Sequence, residues 1–234
     1  MKYFEKCLSQ WNIGYDQTVI DRFEKYYDLL ISWNEKINLT SIVQKDEVYI
    51  KHFVDSISLL NYIDLANKTV LDVGTGAGFP GIALKIVCPE CEVVLLDSLN
   101  KRVLFLNTVI SELGLSGIRA IHSRAEDLAN ERSHREYYDV VTSRAVANLS
   151  TLSEYCLPFV KIGGLFISYK SGNIDEELSA SENAIGKLGG KCGSVEKFFL
   201  PDTDIERSFI FIDKSEHTAK RYPRKAGTPS KDPL

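Results

Sequence analysis

The 234-residue sequence lacks any long hydrophobic run, since a stretch of about 18 apolar residues occurs nowhere in it. Its beginning, MKYFEKCLSQWNIGY, also lacks the basic region and apolar run of a secretory leader. These absences argue against a membrane span and against secretion, so we expect a cytoplasmic protein. The hydrophobic fraction of 44% still allows a substantial core, and we expect one domain over residues 1–234.

Cysteine is sparse and irregularly placed. The chain has five cysteines, an odd number, so a disulfide framework is not expected. Cys88 and Cys91 form one C-x-x-C pair, but neither a second pair nor paired histidines complete a zinc site. The sequence therefore predicts no metal centre.

Positive charge is also scarce overall, because the formal net charge is −4, which by itself argues against nucleic-acid binding. Basic residues are nevertheless concentrated in the C-terminal tail, residues 214–234, whose last part reads KRYPRKAGTPSKDPL. This pattern predicts a local phosphate-contacting patch, with a frayed, solvated end as the alternative. The residues expected to make the contacts are Lys220, Arg221, Arg224 and Lys225.

Helical periodicity dominates residues 1–65, where apolar side chains recur on one stripe near residues 19–31 and on another near 48–60. We interpret this part as a helical front piece. Tyr26, Tyr27 and Trp33 have the composition of base-stacking platforms, but aromatic residues at helical spacing more often belong to the core.

From Thr69 onward the pattern alternates between strand and helix. Seven segments read as strands: TVLDVG, EVVLLD, IRAIHS, YYDVVTSRA, GLFISYK, VEKFFL and RSFIFI. Helices are predicted near 80–87, 100–113, 150–160 and 174–188. Such alternation predicts an α/β fold with a doubly wound, mostly parallel sheet. The last two strands lie too close together for a helical crossover and should pair antiparallel.

The first predicted strand runs into a glycine loop, VLDVGTGAGFPGIAL, residues 70–84. Its glycines fit both G-x-G-x-x-G and G-x-G-x-G, so spacing alone leaves the ligand open. Asp72 and Pro80 weaken a phosphate site, because one adds negative charge and the other lacks an N–H. Phe79 favours a flat purine or an alkyl chain. These neighbours favour S-adenosylmethionine over a dinucleotide, and a ligand-free tight turn is the remaining alternative.

Parallel strands bring their carboxyl ends to one edge of the sheet, where ligands bind. Asp97 ends the second strand, and its carboxylate can accept both ribose hydroxyls or cap the next helix. Ala125 and Glu126 follow the third strand and can flank an adenine, although Glu126 also suits a first helical turn. The fourth strand ends at Arg144 and Ala145, where an exposed loop cation is the alternative.

The sequence lacks the residues that a short-chain dehydrogenase and two other classes of base methyltransferase require. A short-chain dehydrogenase needs a Y-x-x-x-K pair, and no tyrosine here has a lysine four positions later. Amino methylation of bases commonly uses an N-P-P-Y type loop, and C5 methylation needs a cysteine nucleophile, whereas TSRAVANLS follows the fourth strand. A guanine N7 acceptor needs neither.

Several longer blocks together resemble the bacterial small-subunit rRNA (guanine-N7) methyltransferase family, also called glucose-inhibited division protein B. The resemblance spans nearly the whole chain. It rests on WNEKINLTSI (33–42), KHFVDS (51–56), DVGTGAGFPG (72–81), LLDSLNKRVLFL (95–106), SRAEDL (123–128), SRAVANL (143–149) and KRYPRKAGTPSKDPL (220–234). Ala226 departs from the family, which usually has proline there.

The resemblance implies a seven-stranded Rossmann-like methyltransferase sheet with an N-terminal helical extension. It implies methyl transfer from S-adenosylmethionine to N7 of a guanine in the decoding region of 16S rRNA, on the rRNA or the small subunit, by a monomer without a metal. The cofactor contacts that it implies are Gly74, Phe79, Ala125, Glu126 and Arg144, and Asp97 is added from its position at a strand end. No general base is expected. A nonenzymatic RNA-binding protein on a methyltransferase scaffold is the alternative from another class.

Overall fold

Seven strands form one sheet in the part of the chain that this computed structural model describes, residues 2–144, 147–172 and 174–234. Ala145, expected at the end of the fourth strand, lies outside these residues. The strands are β1 (Thr69–Val73), β2 (Glu92–Asp97), β3 (Ile118–His122), β4 (Tyr138–Arg144), β5 (Val160–Lys170), β6 (Gly190–Phe199) and β7 (Glu206–Lys214). Their order across the sheet is β3-β2-β1-β4-β5-β7-β6. The sequence-based prediction of seven strands is confirmed.

The first five strands are parallel, and the last two are not. β1 pairs with β2 and β4, β2 with β3, and β4 with β5, all in parallel. β7 runs antiparallel to both β5 and β6, as predicted from the short connection between the two final strands. The sequence did not predict that β7 lies inside the sheet and β6 at its edge.

Alternate residues of each strand enter different cores, because successive side chains in a strand point to opposite faces. Val70 and Leu95 belong to one buried cluster, whereas Leu71 and Leu96 belong to the other. Helices cover both faces, and the doubly wound prediction is confirmed. The helices that follow β1 are α5 (Gly81–Val87), α6 (Asn100–Glu112), α7 (Ala125–Leu128), α8 (Leu149–Cys156), α9 (Asp175–Lys187) and α10 (Thr228–Lys231).

The helical front piece packs on one face of the sheet. It contains α1 (Lys2–Gln10) and α2 (Gln17–Ile37), and α2 begins where the Asp16 side chain accepts a hydrogen bond from the Val19 N–H at 3.0 Å. Tyr26 on α2 is completely buried, and its hydroxyl donates to the Ala77 carbonyl in the glycine loop. The core interpretation of Tyr26 is therefore correct, and the front piece directly supports the loop.

A helical stretch over residues 45–61 brings polar residues to the carboxyl edge of the sheet. It consists of α3 (Lys45–Val48), a π-helical segment (Tyr49–Val54), α4 (Asp55–Ile57) and a short 3-10 segment (Ser58–Asn61). π-Helical turns are often found at functional sites, because the wider turn changes the direction of the side chains. Here the segment carries Lys51 and His52 and leads into Asp55.

Candidate functional site

The glycine loop between β1 and α5 has a backbone that few other residues adopt. Gly74, Gly76 and Gly78 have φ angles of +69°, +61° and +92°. A Cβ atom on Gly78 would also lie 2.5 Å from the Cδ1 atom of Ile82. The glycines are thus required by backbone conformation and by close packing, and they leave the backbone open to a ligand.

The buried side chain of Asp72 stabilises this loop through hydrogen bonds. Its Oδ2 atom accepts hydrogen bonds from the Thr75 hydroxyl at 2.6 Å and from the Gly81 N–H at 2.9 Å. The side chain is completely buried, and burial raises the pKa of Asp72 to about 6. Asp72 therefore stabilises the loop from inside.

Asp97 lies between two cavities at the end of β2. The first, which we call the loop cavity, has a volume of about 370 Å³, and the second, the tail cavity, about 340 Å³. Both are lined by Gly74, Asp97 and Ser98. Phe79 and Arg144 also line the loop cavity, whereas Ala125 and Glu126 line the tail cavity. The structure thus brings all six residues expected to contact the cofactor around one cleft.

The Asp97 carboxylate is only 2% exposed and makes hydrogen bonds on both oxygens. Oδ2 accepts from the Gly76 N–H at 3.0 Å, and Oδ1 accepts from the Leu99 N–H at 2.9 Å. The second bond means that Asp97 also shapes the start of α6, which the sequence analysis considered as its alternative role. Oδ2 also accepts from Arg102 Nη1 at 3.4 Å, whereas Oδ1 keeps a second lone pair for a ligand hydroxyl.

Phe79 and Arg144 form one wall of the loop cavity. The Phe79 ring stacks on the His52 ring at 4.7 Å between centroids, and the Arg144 guanidinium carbon lies 5.2 Å from the Phe79 centroid. The Arg144 side chain is only 13% exposed, and its Nη1 atom donates to the Asp55 carboxylate at 2.7 Å and to the Lys51 carbonyl at 3.0 Å. Arg144 is therefore a fixed cation, and the exposed loop alternative is wrong.

His52 is a site residue that the residue-by-residue reading of the sequence missed. Its Nδ1 atom accepts from Arg144 Nη2 at 3.0 Å, so its Nε2–H donates to the Thr40 hydroxyl at 2.9 Å. Burial, and then the Arg144 charge, lower the pKa of His52 to about 3. The imidazole is neutral at physiological pH. The only sequence signal for it is the KHFVDS block.

Asp55, also missed, joins two strands through its carboxylate. Its Oδ1 atom accepts from Arg207 Nε at 2.8 Å, while Oδ2 accepts from Arg144. Asp55 and both arginines are largely buried. Because Arg207 lies 152 positions away in the sequence, no local pattern links it to Asp55.

Glu126 connects the tail cavity to the C-terminal tail. It lies in the first turn of α7, as one reading of the sequence predicted, and its Oε1 atom accepts from the Gly227 N–H at 2.9 Å. Gly227 itself lines the tail cavity. The same carboxylate is thus placed to face a ligand and to anchor the tail.

The tail is folded against the body, so the frayed-end alternative is wrong. Tyr222 and Pro229 are buried. Arg224 donates twice to Glu154 Oε2, from Nη2 at 2.7 Å and from Nε at 3.1 Å, and Glu154 is only 1% exposed. Among the residues expected to contact RNA, Lys220, Arg221 and Lys225 are exposed, whereas Arg224 is engaged in this ion pair.

The cleft has the donors and acceptors that S-adenosylmethionine requires. Asp97 offers a carboxylate midway along it, with a cavity on either side. Arg102 lines the loop cavity, and its buried Nε–H has no hydrogen-bond partner in the described structure. A buried donor of this kind is costly unless a ligand satisfies it. We conclude that the residues fit the cofactor.

Comparison with known proteins identifies the family. The family model described as rRNA small subunit methyltransferase G matches residues 19–205. The chain belongs to this family. Ribosomal RNA small subunit methyltransferase G of Staphylococcus carnosus is 51% identical over 236 residues, covering 100% of this chain and 98% of the relative. The protein of the same name from Lachnoclostridium phytofermentans is 54% identical, covering 99% and 96%.

Solved structures show the same fold. TYW2 from M. jannaschii, solved in complex with AdoMet, aligns with a TM-score of 0.57 at 14% identity, covering 74% of this chain and 79% of that chain. TrmN from Thermus thermophilus aligns with a TM-score of 0.52 at 17% identity, covering 68% and 48%. At these identities the likeness shows the Rossmann-like fold alone.

Membership in the family makes the chain an S-adenosylmethionine-dependent rRNA methyltransferase, and the resemblance noted in the sequence is confirmed. Within the described residues, no helix is long and apolar enough to cross a membrane. The same part of the chain contains no cluster of three or more histidine, cysteine or acidic residues arranged to hold a metal ion. Cys88 and Cys91 are buried, and the Cys91 thiol donates to the Cys88 carbonyl at 3.0 Å.

Proposed function

We propose that the enzyme methylates N7 of a guanine in the decoding region of 16S rRNA, with the cofactor lying across Asp97. The single observation that carries the cofactor placement is the position of this buried carboxylate between the loop cavity and the tail cavity. Asp97 would hold the ribose hydroxyls, Ala125 and Glu126 would flank the adenine in the tail cavity, and Gly74, Phe79 and Arg144 would hold the methionine part in the loop cavity.

The residues of the loop cavity favour methyl transfer without a general base. When bound, S-adenosylmethionine supplies a methyl group on a positively charged sulfur. Guanine N7 has an in-plane lone pair and no proton, so it bonds to the methyl carbon while the carbon–sulfur electron pair goes to sulfur. The chain's residues then have to align the reactants and exclude water. Arg144 is a fixed cation that positions a substrate group.

Neutral His52 does not take a proton in this proposal. Both of its ring nitrogens already have partners, Arg144 and Thr40, and its pKa of about 3 keeps it uncharged while the guanine gains positive charge. His52 therefore orients Arg144 and Phe79.

The exposed basic residues of the tail supply the contact with RNA. Lys220, Arg221 and Lys225 lie in a segment that is anchored to the body at Tyr222, Arg224 and Gly227. Fixed cations hold phosphates in a defined register, which positions a target base without reading sequence. Arg224 contributes to this surface by holding the segment in place.

We also infer that residues 1–234 act as one catalytic unit, as a monomer, in the cytoplasm where rRNA is found. The front piece supports this, because Tyr26 contacts the glycine loop and Lys51, His52 and Asp55 contact Arg144. Sedimentation of the active enzyme at micromolar concentration measures the oligomeric state.

The proposed reaction is tested by incubating the enzyme with labelled S-adenosylmethionine and small subunits or naked 16S rRNA from cells that lack the gene. We expect one labelled guanine in the decoding region, sensitive to chemical cleavage at 7-methylguanine. Label at another atom, or in another region of the rRNA, contradicts the proposal. S-adenosylmethionine binding without any transfer to either substrate favours the nonenzymatic alternative.

A further inference from the structure

A third cavity lies beside the loop cavity, on the far side of Arg144. Its volume is about 420 Å³, within the range of roughly 300–1,000 Å³ that is typical of ligand pockets. His52 and Arg144 line both cavities, so the two cavities are neighbours. A group bound in the third cavity therefore lies next to the methionine end of the cofactor cleft.

Cationic side chains outnumber acidic ones around this cavity. Its charged lining residues are Lys51, Asp55, Arg144, Lys170, Glu177 and Arg207. Three of the cations lie on different strands and are fixed by hydrogen bonds. Asp55 accepts from Arg144 and Arg207. Lys170 on β5 donates to Glu177 at 2.7 Å and to the Ala147 carbonyl at 2.9 Å. We call this arrangement the Asp55 clamp cavity. Fixed cations favour an electron-rich or anionic ligand without further reorganisation.

The chemistry of the lining matches guanine. The base has acceptors at O6 and N7 on one edge and donors at N1 and N2 beside them. Cations are suited to O6, and carboxylates are suited to the donors. N7 has to remain free of hydrogen bonds, since its lone pair attacks the methyl group. Both requirements are met if the O6 atom of the base faces the cations of the Asp55 clamp cavity and its N7 atom faces the loop cavity.

We propose that the Asp55 clamp cavity receives the target guanine after it is turned out of the RNA helix. The inference rests on the proposed function, because it requires guanine N7 as the acceptor. Extrusion follows from burial: the side chains of Arg144, Lys170 and Arg207 are only 13%, 12% and 19% exposed, and a base stacked in a helix does not reach groups that lie below the surface. Arg144, Lys170 and Arg207 contact the base or its phosphate, and Asp55 is a positioning residue that acts through the two arginines.

The first test measures the steady-state methylation of small subunits by variants of residues that line the Asp55 clamp cavity. Arg207→Ala removes a cation whose side chain does not line the loop cavity. We expect kcat/KM for subunits to fall about tenfold or more, while the Kd for S-adenosylmethionine measured by calorimetry stays within about twofold. Arg207→Lys restores part of the rate, because the charge is retained and the fixed geometry is lost.

Lys191→Ala is the matched control, because Lys191 is an exposed cation at the start of β6 and pairs with Asp213, at the end of β7 that is remote from Arg207. It should behave like the wild-type enzyme. If Arg207→Ala matches this control in kcat/KM, the inference is wrong. If the wild-type enzyme itself produces no 7-methylguanine, the proposed function fails instead, so the two failures are distinguishable.

The second test uses the wild-type enzyme and is independent of the folding of any variant. Small subunits that carry 6-thioguanine at the target position are mixed with the enzyme and with the demethylated form of the cofactor, which has no methyl group to transfer. The complex is then irradiated. We expect crosslinks to peptides that contain Lys51, Lys170 or Arg207, since O6 is the atom replaced by sulfur. Crosslinks only to the tail, residues 220–231, would overturn the inference.

Discussion

The carboxylate of Glu126 accepts a hydrogen bond from the backbone N–H of Gly227 at 2.9 Å, in the wall of the tail cavity. One side chain in the first turn of α7 thereby joins the proposed adenine site to the C-terminal tail. The tail has two roles as a result: its backbone closes the cofactor cleft, and its exposed cations face outward.

Truncation before Lys220 is expected to weaken S-adenosylmethionine binding as well as RNA binding. From the sequence alone, cofactor affinity should remain largely intact after this truncation. The structure changes that expectation, because the truncated enzyme loses Gly227 and leaves Glu154 buried without Arg224. We expect a loss in cofactor affinity of roughly fivefold or more by calorimetry. Unchanged cofactor affinity in a folded truncated protein would show that the tail does not complete the cavity.

Replacing Lys220, Arg221 and Lys225 together by alanine should separate the two roles of the tail. The backbone anchors at Arg224 and Gly227 are retained, so cofactor affinity should not change. RNA affinity should fall, and its dependence on salt concentration should flatten by about one unit of slope for each phosphate contact removed. The control replaces three exposed lysines of α1 and α2, Lys2, Lys6 and Lys25, which lie on the face of the sheet opposite the one where Tyr222 of the tail packs. An equal flattening in the control would mean that the tail cations make no specific contact.

Asp97→Ala should weaken S-adenosylmethionine binding by roughly 1.5–3 kcal/mol, because charge-assisted hydrogen bonds to ribose hydroxyls are lost. The Gly76 and Leu99 N–H groups also lose their acceptor. Glu92→Ala is the matched control, since Glu92 is an exposed acid at the other end of the same strand. Calorimetry on folded proteins measures both. Equal affinities for the two variants would remove Asp97 from the site.

The single-turnover methylation rate should be nearly constant between about pH 6.5 and 8.5, where a general base would normally show its titration. His52 has a pKa of about 3, so it is neutral throughout this range. Asp72 has a pKa of about 6, raised by burial, so it is largely ionised above pH 6.5 and gains protons only as the pH falls toward 6.

A decline in rate below pH 6 that disappears in Asp72→Asn would therefore reflect the glycine loop and not a catalytic base. Replacing the target guanine by 7-deazaguanine should abolish methylation, because the nucleophilic nitrogen is absent. A rate that rises steeply with pH up to 8.5, or methylation of the 7-deaza substrate, would point to a different acceptor atom.

Much of the fold and of the cofactor cleft was predictable because the signals are local. The two-residue alternation in β1 and β2 places side chains on two faces, and the short connection before β7 requires antiparallel pairing. Strands that are parallel end at the same edge, so Asp97, Glu126 and Arg144 had to approach one another. The glycine loop was recognisable because its backbone conformation restricts the residue type.

Only the tertiary structure decided which of these side chains face a ligand and which support the loop. Asp72 and Asp97 both end β-strands, yet Asp72 is directed beneath the loop and Asp97 into the cleft, because the loop folds over one and beside the other. Asp55 meets Arg207, and Glu126 meets Gly227, across 152 and 101 positions. Such pairs depend on packing between distant segments, and neither periodicity nor spacing along the chain records them.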